Sequence, residues 1–318
     1  MEKKIIKVLR KYRRFLVTMH AHPDPDAMGA ALAMALYLKS LGKDVRLVNE
    51  DACPSFLAFM PKSGFCKKFN AKEKFVPEVA VILDCGDLDR IGKVRGMIAE
   101  RARIVNIDHH VTNTFFGHDN LVLTQYSSTC EILFQLLKKA GCRLTKDMAI
   151  LLYLGILTDT GSFGFDCTGP HTHRVIAELL EFDFSVSDLY RKVYETMPRG
   201  DLRPFLEAVG RIELCLHDRV ACLTMTKKDT GKFSGEFDFR DKVFTFLRSV
   251  NGLEVIVIVT EGDNGRTRIN LRSRDAFDVA LLAEKFGGGG HRKASGCFID
   301  GTVDAAKKKI LAVIRKGL

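Results

Sequence analysis

Near its start the chain reads Phe15-Leu16-Val17-Thr18-Met19-His20-Ala21-His22-Pro23-Asp24-Pro25-Asp26. The apolar first part predicts a buried strand, and the alanine- and leucine-rich run over 27–38 predicts a helix. His20, Asp24 and Asp26 therefore follow the carboxyl end of a strand, where open α/β sheets bind their ligands. A plainer interpretation makes Asp26 a helix cap and Asp24 the start of a turn, and an isolated acidic pair would favour it.

The same arrangement recurs along the chain. Apolar runs over 79–83 and 102–107 predict strands that end in Asp84 and in Asp108-His109-His110. An apolar helix predicted over 148–157 leads into Asp159. Four buried elements that all end in such groups favour a shared site over four unrelated caps. Because nearly continuous apolar strands alternate with helices, we expect an α/β fold with a parallel sheet covered on both faces.

Length and composition limit the function classes. The 318 residues are enough for two domains, and the net charge of +10 suits an anionic partner. No apolar run is long enough to predict a membrane span, and the charged start does not resemble a signal peptide. Nine cysteines without a Cys-x-x-Cys motif indicate reduced thiols and a cytoplasmic location.

The second half predicts a smaller α/β domain. Strand pairs are expected over 211–216 with 220–225 and over 253–259 with 266–271, joined by turn-rich links. Pro198-Arg199-Gly200 breaks the chain, and we expect a domain over 1–185, a linker helix over 186–204 and a second domain over 205–318.

A glycine run near the end of the chain predicts an anion site. The backbone N–H groups of Gly288, Gly289 and Gly290 can surround a phosphate, and His291 and Ser295 follow at once. Four bare glycines would otherwise indicate a flexible linker. Arg268 and Arg272 share one face of a predicted strand, and we favour Arg272 for a second phosphate contact because it is closer to the glycine run. The alternative interpretation makes either arginine a solvated edge-strand residue.

The first group of side chains suits metal chemistry. Oxygen and imidazole donors without thiolates favour Mn²⁺, with Mg²⁺ or Co²⁺ as substitutes, and their number indicates two ions that activate a water for attack on phosphorus. Asp108 is expected to orient an imidazole, and His110, on the open side, to contact the phosphate or assist the leaving group. The expected ligands are His20, Asp24 and Asp84 for one ion, and Asp26, Asp84, His109 and Asp159 for the other.

These motifs resemble those of a known family. His20-x3-Asp24-x-Asp26, Asp84, Asp108-His109-His110 and Asp159 resemble the four signature motifs of the DHH phosphoesterases, and Gly288-Gly289-Gly290-His291 with Ala294-Ser295-Gly296 resembles the DHHA1 domain. The layout is similar to the NrnA-type oligoribonuclease/pAp phosphatases. The resemblance implies a catalytic DHH domain and a substrate-binding DHHA1 domain, two manganese ions, short RNA or 3′-phosphoadenosine 5′-phosphate (pAp) as substrate, and a cytoplasmic setting.

Other functions compete with this one. Stand-alone cyclic di-AMP or linear dinucleotide phosphodiesterases share the same layout. A catalytically silent nucleotide-binding module would be favoured by the loss of a ligand, yet every ligand position is filled. Long nucleic acid is not an expected partner because no basic run with interleaved aromatic residues is present. A homodimer is compatible with the sequence.

Overall fold

The computed structural model of the protein describes residues 1–235, 238–274 and 277–318, and of His291 it describes the backbone alone. The chain divides into two units, Met1–Tyr194 and Glu195–Leu318. None of the helices in these described ranges is long and apolar enough to cross a bilayer. All nine cysteines are free thiols.

The first unit is built on a parallel sheet of six strands in the order β3-β2-β1-β4-β5-β6. The predicted α/β class and parallel sheet are confirmed. The sequence did not predict β3, which has only three residues, or β6, which is short and half polar. The strands are β1 (Arg14–Met19), β2 (Asp44–Asn49), β3 (Cys66–Lys68), β4 (Val79–Leu83), β5 (Arg103–Asp108) and β6 (Asp119–Val122).

Strand register brings the predicted site residues together. β1, β4 and β5 are neighbours, with Met19 beside Leu83 and Leu83 beside Ile107. The next residues along these strands lie at the same carboxyl edge of the sheet. The chain places β2 and β3 on one side of β1 and β4 to β6 on the other, so the order reverses at β1, where such sheets bind ligands.

Two helices of the first unit are apolar on nearly every side. Helices α2 and α4 are buried along most of their length, as expected for sequences rich in alanine, leucine and methionine all round. They pack so closely that a Cβ at Gly29 would lie 2.6 Å from the carbonyl oxygen of Leu151. The helices are α1 (Glu2–Lys11), α2 (Pro25–Ser40), α3 (Thr129–Lys139), α4 (Lys146–Asp159), α5 (Pro170–Leu180) and α6 (Val186–Tyr194).

The second unit contains a mixed sheet in the order β11-β12-β10-β9-β8-β7, in which only β8 and β9 are parallel. Both predicted strand pairs are present. The elements are α7 (Leu202–Val209), β7 (Glu213–Cys215), β8 (Val220–Met225), α8 (Lys227–Thr230), α9 (Phe239–Arg248), β9 (Val255–Glu261), β10 (Arg266–Ser273), α10 (Val279–Glu284), β11 (Gly289–His291), β12 (Ala294–Asp300) and α11 (Val303–Ile314).

The close approach of α2 and α4 can be tested with glycine substitutions. Gly29→Ala is expected to lower the free energy of unfolding by about 1–3 kcal/mol, because the new methyl group overpacks the interface with Leu151. Gly64→Ala, at an exposed glycine with no heavy atom within 4 Å of the new Cβ, is the control and should change stability by less than about 0.5 kcal/mol. Urea denaturation followed by circular dichroism measures both, and equal midpoints would contradict the packing argument.

Candidate metal centre

Asp84 lies at the middle of the predicted site. It follows β4, is almost fully buried, and has a left-handed backbone with φ of 56°. Its two oxygens face different imidazoles: Oδ2 lies 3.5 Å from Nε2 of His20, and Oδ1 lies 3.6 Å from Nε2 of His109. Burial opposes the charge on Asp84, but the His20, His109 and His110 rings outweigh burial and hold its pKa well below the usual range.

Both imidazoles offer the Nε2 atom to the site. Nδ1 of His20 lies 2.8 Å from the carbonyl oxygen of Ala21, a contact that places a proton on Nδ1 and turns Nε2 toward the site. Burial opposes the charged His20 ring, but Asp84 and Asp24 outweigh burial and raise the pKa of His20 to about 9. Nε2 of His109 lies 3.2 Å from Oδ2 of Asp159, and burial lowers the pKa of this second imidazole.

Asp24 has two roles in the structure. It is the N-cap of α2, and its Oδ1 accepts a hydrogen bond of 2.9 Å from the backbone N–H of Ala27. The plainer interpretation, in which Asp26 was the cap, is therefore wrong. Oδ2 of Asp24 lies 3.8 Å from Nε2 of His20, so the capping carboxylate also belongs to the predicted group.

Asp26 is fully buried in the first turn of α2 and faces the start of α3. Its Oδ2 accepts a hydrogen bond of 2.8 Å from the N–H of Thr129, and its Oδ1 accepts one of 2.9 Å from the N–H of Cys130. These amides are the unpaired donors of a helix N-terminus, which stabilise negative charge. Burial, followed by the charges of Asp84 and Asp24, nevertheless raises the pKa of Asp26.

Asp159 is the last residue of α4, where the helix dipole disfavours an anion. Burial and the neighbouring carboxylates, Asp26 first among them, raise its pKa. A Cβ at Gly155, one turn earlier, would lie 2.6 Å from Oδ1 of Asp26, so only glycine allows α4 to come this close to that carboxylate.

The donor atoms fit divalent cations. The described part of the chain holds three groups in each of which the ligand atoms all lie within 4.8 Å of one another, and Asp84 belongs to two of the groups. Within the described residues no lysine or arginine forms an ion pair with these carboxylates, so imidazoles are the only side chains that form ion pairs with them there. Carboxylate and imidazole donors with so little compensating charge are what a metal centre requires. The groups are His20 with Asp24 and Asp84, Asp26 with His109 and Asp159, and Asp84 with His109 and His110.

Asp108 and His110 form a pair beside these groups. The buried carboxylate of Asp108 lies 2.6 Å, through Oδ1, from Nδ1 of His110, and a carboxylate accepts this bond. Burial opposes the charged His110 ring, but Asp108 and Asp84 outweigh burial and raise its pKa. Only 9% of the His110 side chain is exposed, so the ring is more enclosed than its expected open position.

The predicted substrate-binding residues of the second unit lie around β10, β11 and β12. Arg272, on β10, places its guanidinium over the ring of Phe244 at 4.6 Å. β10 has a partner on each side, so the edge-strand interpretation of Arg268 and Arg272 is wrong. The hydroxyl of Ser295 donates to the carbonyl of Val279.

The glycine run is a strand rather than an open loop. Gly289 and Gly290 belong to β11, which pairs with β12, and a Cβ at Gly288 would lie 2.2 Å from the carbonyl oxygen of Gly296. A Cβ at Gly290 would likewise lie 2.5 Å from the carbonyl oxygen of Ala294. Gly288 and Gly290 are therefore needed for close strand approach, whereas a Cβ at Gly289 would meet no atom of the described residues within 4 Å. The His291 side chain lies outside the described residues, so its role stays a prediction.

Thr129 was missed by the sequence analysis. Its N–H binds Asp26, and its hydroxyl donates to Oδ1 of Asp84 at 2.9 Å. The pattern Ser128-Thr129-Cys130-Glu131 before an apolar run is a helix-start signature and could have marked a set of free amides. Nothing in this pattern shows that the amides bind a carboxylate of α2, or that the Thr129 hydroxyl binds the carboxylate that follows β4.

Comparisons with known proteins show the family of this chain. The model of the DHH family, N-terminal domain, matches residues 14–156, and the model of the DHHA1 domain matches residues 218–316. The fold and the site define a hydrolase that acts on phosphoric ester bonds, and the chain belongs to the DHH/DHHA1 family of phosphoesterases.

Individual relatives extend over nearly the whole chain. The chain is 31% identical to the bifunctional oligoribonuclease and PAP phosphatase NrnA of Thermus thermophilus, over 95% of this chain and 89% of the relative. It is 27% identical to the Bacillus subtilis protein of the same name, over 94% and 93%. The crystal structure of an exopolyphosphatase-related protein from Bacteroides fragilis is similar with a TM-score of 0.90 and 27% identity, over 99% of this chain and 96% of that one.

The Thr129 contact can be tested without removing a ligand. Thr129→Val keeps the N–H that binds Asp26 but removes the hydroxyl that holds Asp84. The affinity for Mn²⁺, used as a probe in calorimetry, is expected to fall by about 10- to 100-fold, as for other residues that support metal ligands. Thr267→Val removes a similar buried hydroxyl bond in the second unit and is the control. Unchanged affinity in Thr129→Val would contradict a role in holding Asp84.

Proposed function

We propose that the protein is a two-manganese phosphoesterase that hydrolyses short oligoribonucleotides and pAp. The observation that carries the proposal is Asp84, whose two oxygens face two different imidazoles and whose side chain is shared by two donor groups. A carboxylate in this position suits a bridge between two cations. The names of the Thermus and Bacillus relatives support the choice of substrates.

The residues divide the chemistry among them. His20, Asp24 and Asp84 would hold one cation, and Asp26, Asp84, His109 and Asp159 the other. When bound, the cations would supply Lewis-acid polarisation of the phosphoryl group and a lowered pKa of water. Asp108 holds the His110 ring through Nδ1. The ring, protonated on both nitrogens, would give its Nε2 proton to the departing oxygen as the bond from phosphorus to that oxygen breaks. The water oxygen would bond to phosphorus in the same step, and its proton would pass to solvent.

The second unit supplies contacts to the rest of the substrate in this proposal. Arg272 presents a guanidinium, the group best suited to a phosphate, and the glycine strand with His291 lies two strands away in the same sheet. A short substrate has few phosphates that the protein can bind, so each contact contributes a large part of the binding free energy. Cyclic di-AMP and linear dinucleotides belong in the same substrate panel, because their hydrolysis would point to the alternative phosphodiesterase activity.

The bridging role of Asp84 predicts the metal content of a variant. Asp84→Ala should bind fewer than two Mn²⁺ per chain and lose at least about a thousandfold in kcat on pAp, because both ions lose a ligand. Asp51→Ala, which removes a half-exposed carboxylate near His22 and outside the three donor groups, should keep both ions and its activity. Metal analysis and steady-state kinetics measure the two effects, and two ions retained in Asp84→Ala would rule out the bridge.

Substrate contacts by the second unit predict a difference between esters. Arg272→Ala and His291→Ala should each lose about ten- to a hundredfold in kcat/KM on pAp or a dinucleotide, the value of one charge-assisted hydrogen bond. Both variants should keep their metals and lose far less on bis(p-nitrophenyl) phosphate, which has no remote phosphate. Arg274→Ala, at an exposed arginine two residues further on, is the control. Equal losses on both esters would assign these residues to the chemical step or to folding.

A further inference from the structure

Asn113 connects the Asp108–His110 pair to the loop between β5 and β6. Its side chain is buried, and its Nδ2 donates to Oδ2 of Asp108 at 2.6 Å. The other oxygen of Asp108, Oδ1, accepts a hydrogen bond from Nδ1 of His110. Among the described residues no lysine or arginine forms an ion pair with Asp108, so this buried carboxylate depends on its hydrogen-bond donors.

Neighbouring groups fix the orientation of the Asn113 amide. Nδ2 of Asn106 donates to backbone carbonyls, including that of Cys85, so Oδ1 of Asn106 faces Nδ2 of Asn113 at 2.9 Å. Oδ1 of Asn113 in turn accepts the backbone N–H of Phe115 at 2.7 Å. An amide rotated by 180° would lose the bonds to Phe115, Asn106 and Asp108 together. Asn113 can therefore present only its donor to Asp108.

The same amide supports an unfavourable backbone conformation. Phe115 has φ of 54°, which is rare for a bulky residue, and 62% of its surface is exposed. Its N–H bonds to Asn113, and its carbonyl accepts from Nδ2 of Asn120 at 3.2 Å. Strain of this kind persists where the surroundings impose it, often at functional sites. Asn120 anchors the same loop and forms its hydrogen bonds with Phe115 and Gly117, so it is a matched control.

We propose that Asn113 is a positioning residue for the reaction: it holds Asp108 in one rotamer, and Asp108 holds the His110 ring with Nδ1 protonated and Nε2 directed to the departing oxygen. The consequence for catalysis rests on the proposed function. An ester with a poor leaving group, such as a ribose oxygen, needs the proton from Nε2 more than one that releases p-nitrophenolate. Loss of Asn113 is therefore expected to lower the hydrolysis rate of the ribose ester more than that of the p-nitrophenyl ester.

Kinetics on the manganese-loaded full chain test the catalytic consequence. Asn113→Ala is expected to lower kcat on pAp about tenfold with little change in KM, and to lower kcat on bis(p-nitrophenyl) phosphate less than about threefold. Asn120→Ala should lower the two rates equally, if at all. Equal losses on both esters in Asn113→Ala, or the same ester difference in Asn120→Ala, would overturn the proposal.

Spectroscopy tests the ring orientation without any turnover. In protein labelled with ¹⁵N-histidine, the His110 ring is assigned by the signal that His110→Gln removes. At a pH where this ring is neutral it should show the Nδ1–H tautomer alone, and the acid form that donates from Nε2 is the same ring with a second proton. Asn113→Ala should show both tautomers, and Asn120→Ala should match the wild type. Asn113→Asp keeps the acceptor for Phe115 and removes the donor to Asp108, so it replaces the alanine variant if that variant does not fold.

The two proposals fail in different ways. If the wild type hydrolyses neither ester, the proposed function is wrong, and the ring spectra alone then decide the role of Asn113. If the wild type is active but Asn113→Ala and Asn113→Asp keep the single Nδ1-protonated form, Asn113 does not position His110.

Discussion

Mutual repulsion among four carboxylates is the constraint on which the first unit depends. Asp24, Asp26, Asp84 and Asp159 come from distant parts of the chain and meet within a few ångströms, three of them mostly out of water. The negative charge of each carboxylate needs a hydrogen-bond donor or a positive group nearby. Asp24 accepts from a capping amide, and Asp26 accepts from the first amides of α3. Asp84 lies beside imidazoles and accepts from the Thr129 hydroxyl. Asp159 has the least favourable place, at the end of a helix, and gains most from a cation.

The sheet makes this concentration of charge possible because its strands are rigid and their ends coincide. Neighbouring registers of β1, β4 and β5 place His20, Asp84 and Asp108 at one edge. The two apolar helices then bring Asp26 and Asp159 to the same edge, at a distance that Gly29 and Gly155 permit. The same close packing of α2 against α4 therefore determines both the core and the spacing of the donor atoms. Small residues between the two helices allow it.

Most of the correct predictions from the sequence came from local patterns of a few residues. Strand-then-acid and helix-then-acid motifs need only a few residues, so the α/β class and the set of polar strand ends followed from them. Contacts between distant segments could not be predicted in this way. The amides of Thr129 and Cys130 meet Asp26 across more than a hundred residues of chain, and the Asn113 amide is defined by four partners on three segments. The glycine run suggested a loop because glycine is common in loops, whereas here its lack of a side chain allows two strands to meet.

The wide spread of the donor residues along the chain has a consequence for biogenesis. The set extends from His20 to Asp159 and is assembled by β1, α2, β4, β5 and α4 together. A nascent chain that ends before α4 lacks the last carboxylate, so the complete donor set forms only when α4 joins the core. Any ion that then binds stabilises the folded form over the unfolded one, by about 2.7 kcal/mol when its concentration is a hundredfold above its dissociation constant. An ion bound at these residues would in this way oppose unfolding of the whole first unit, because its ligands come from elements throughout that unit.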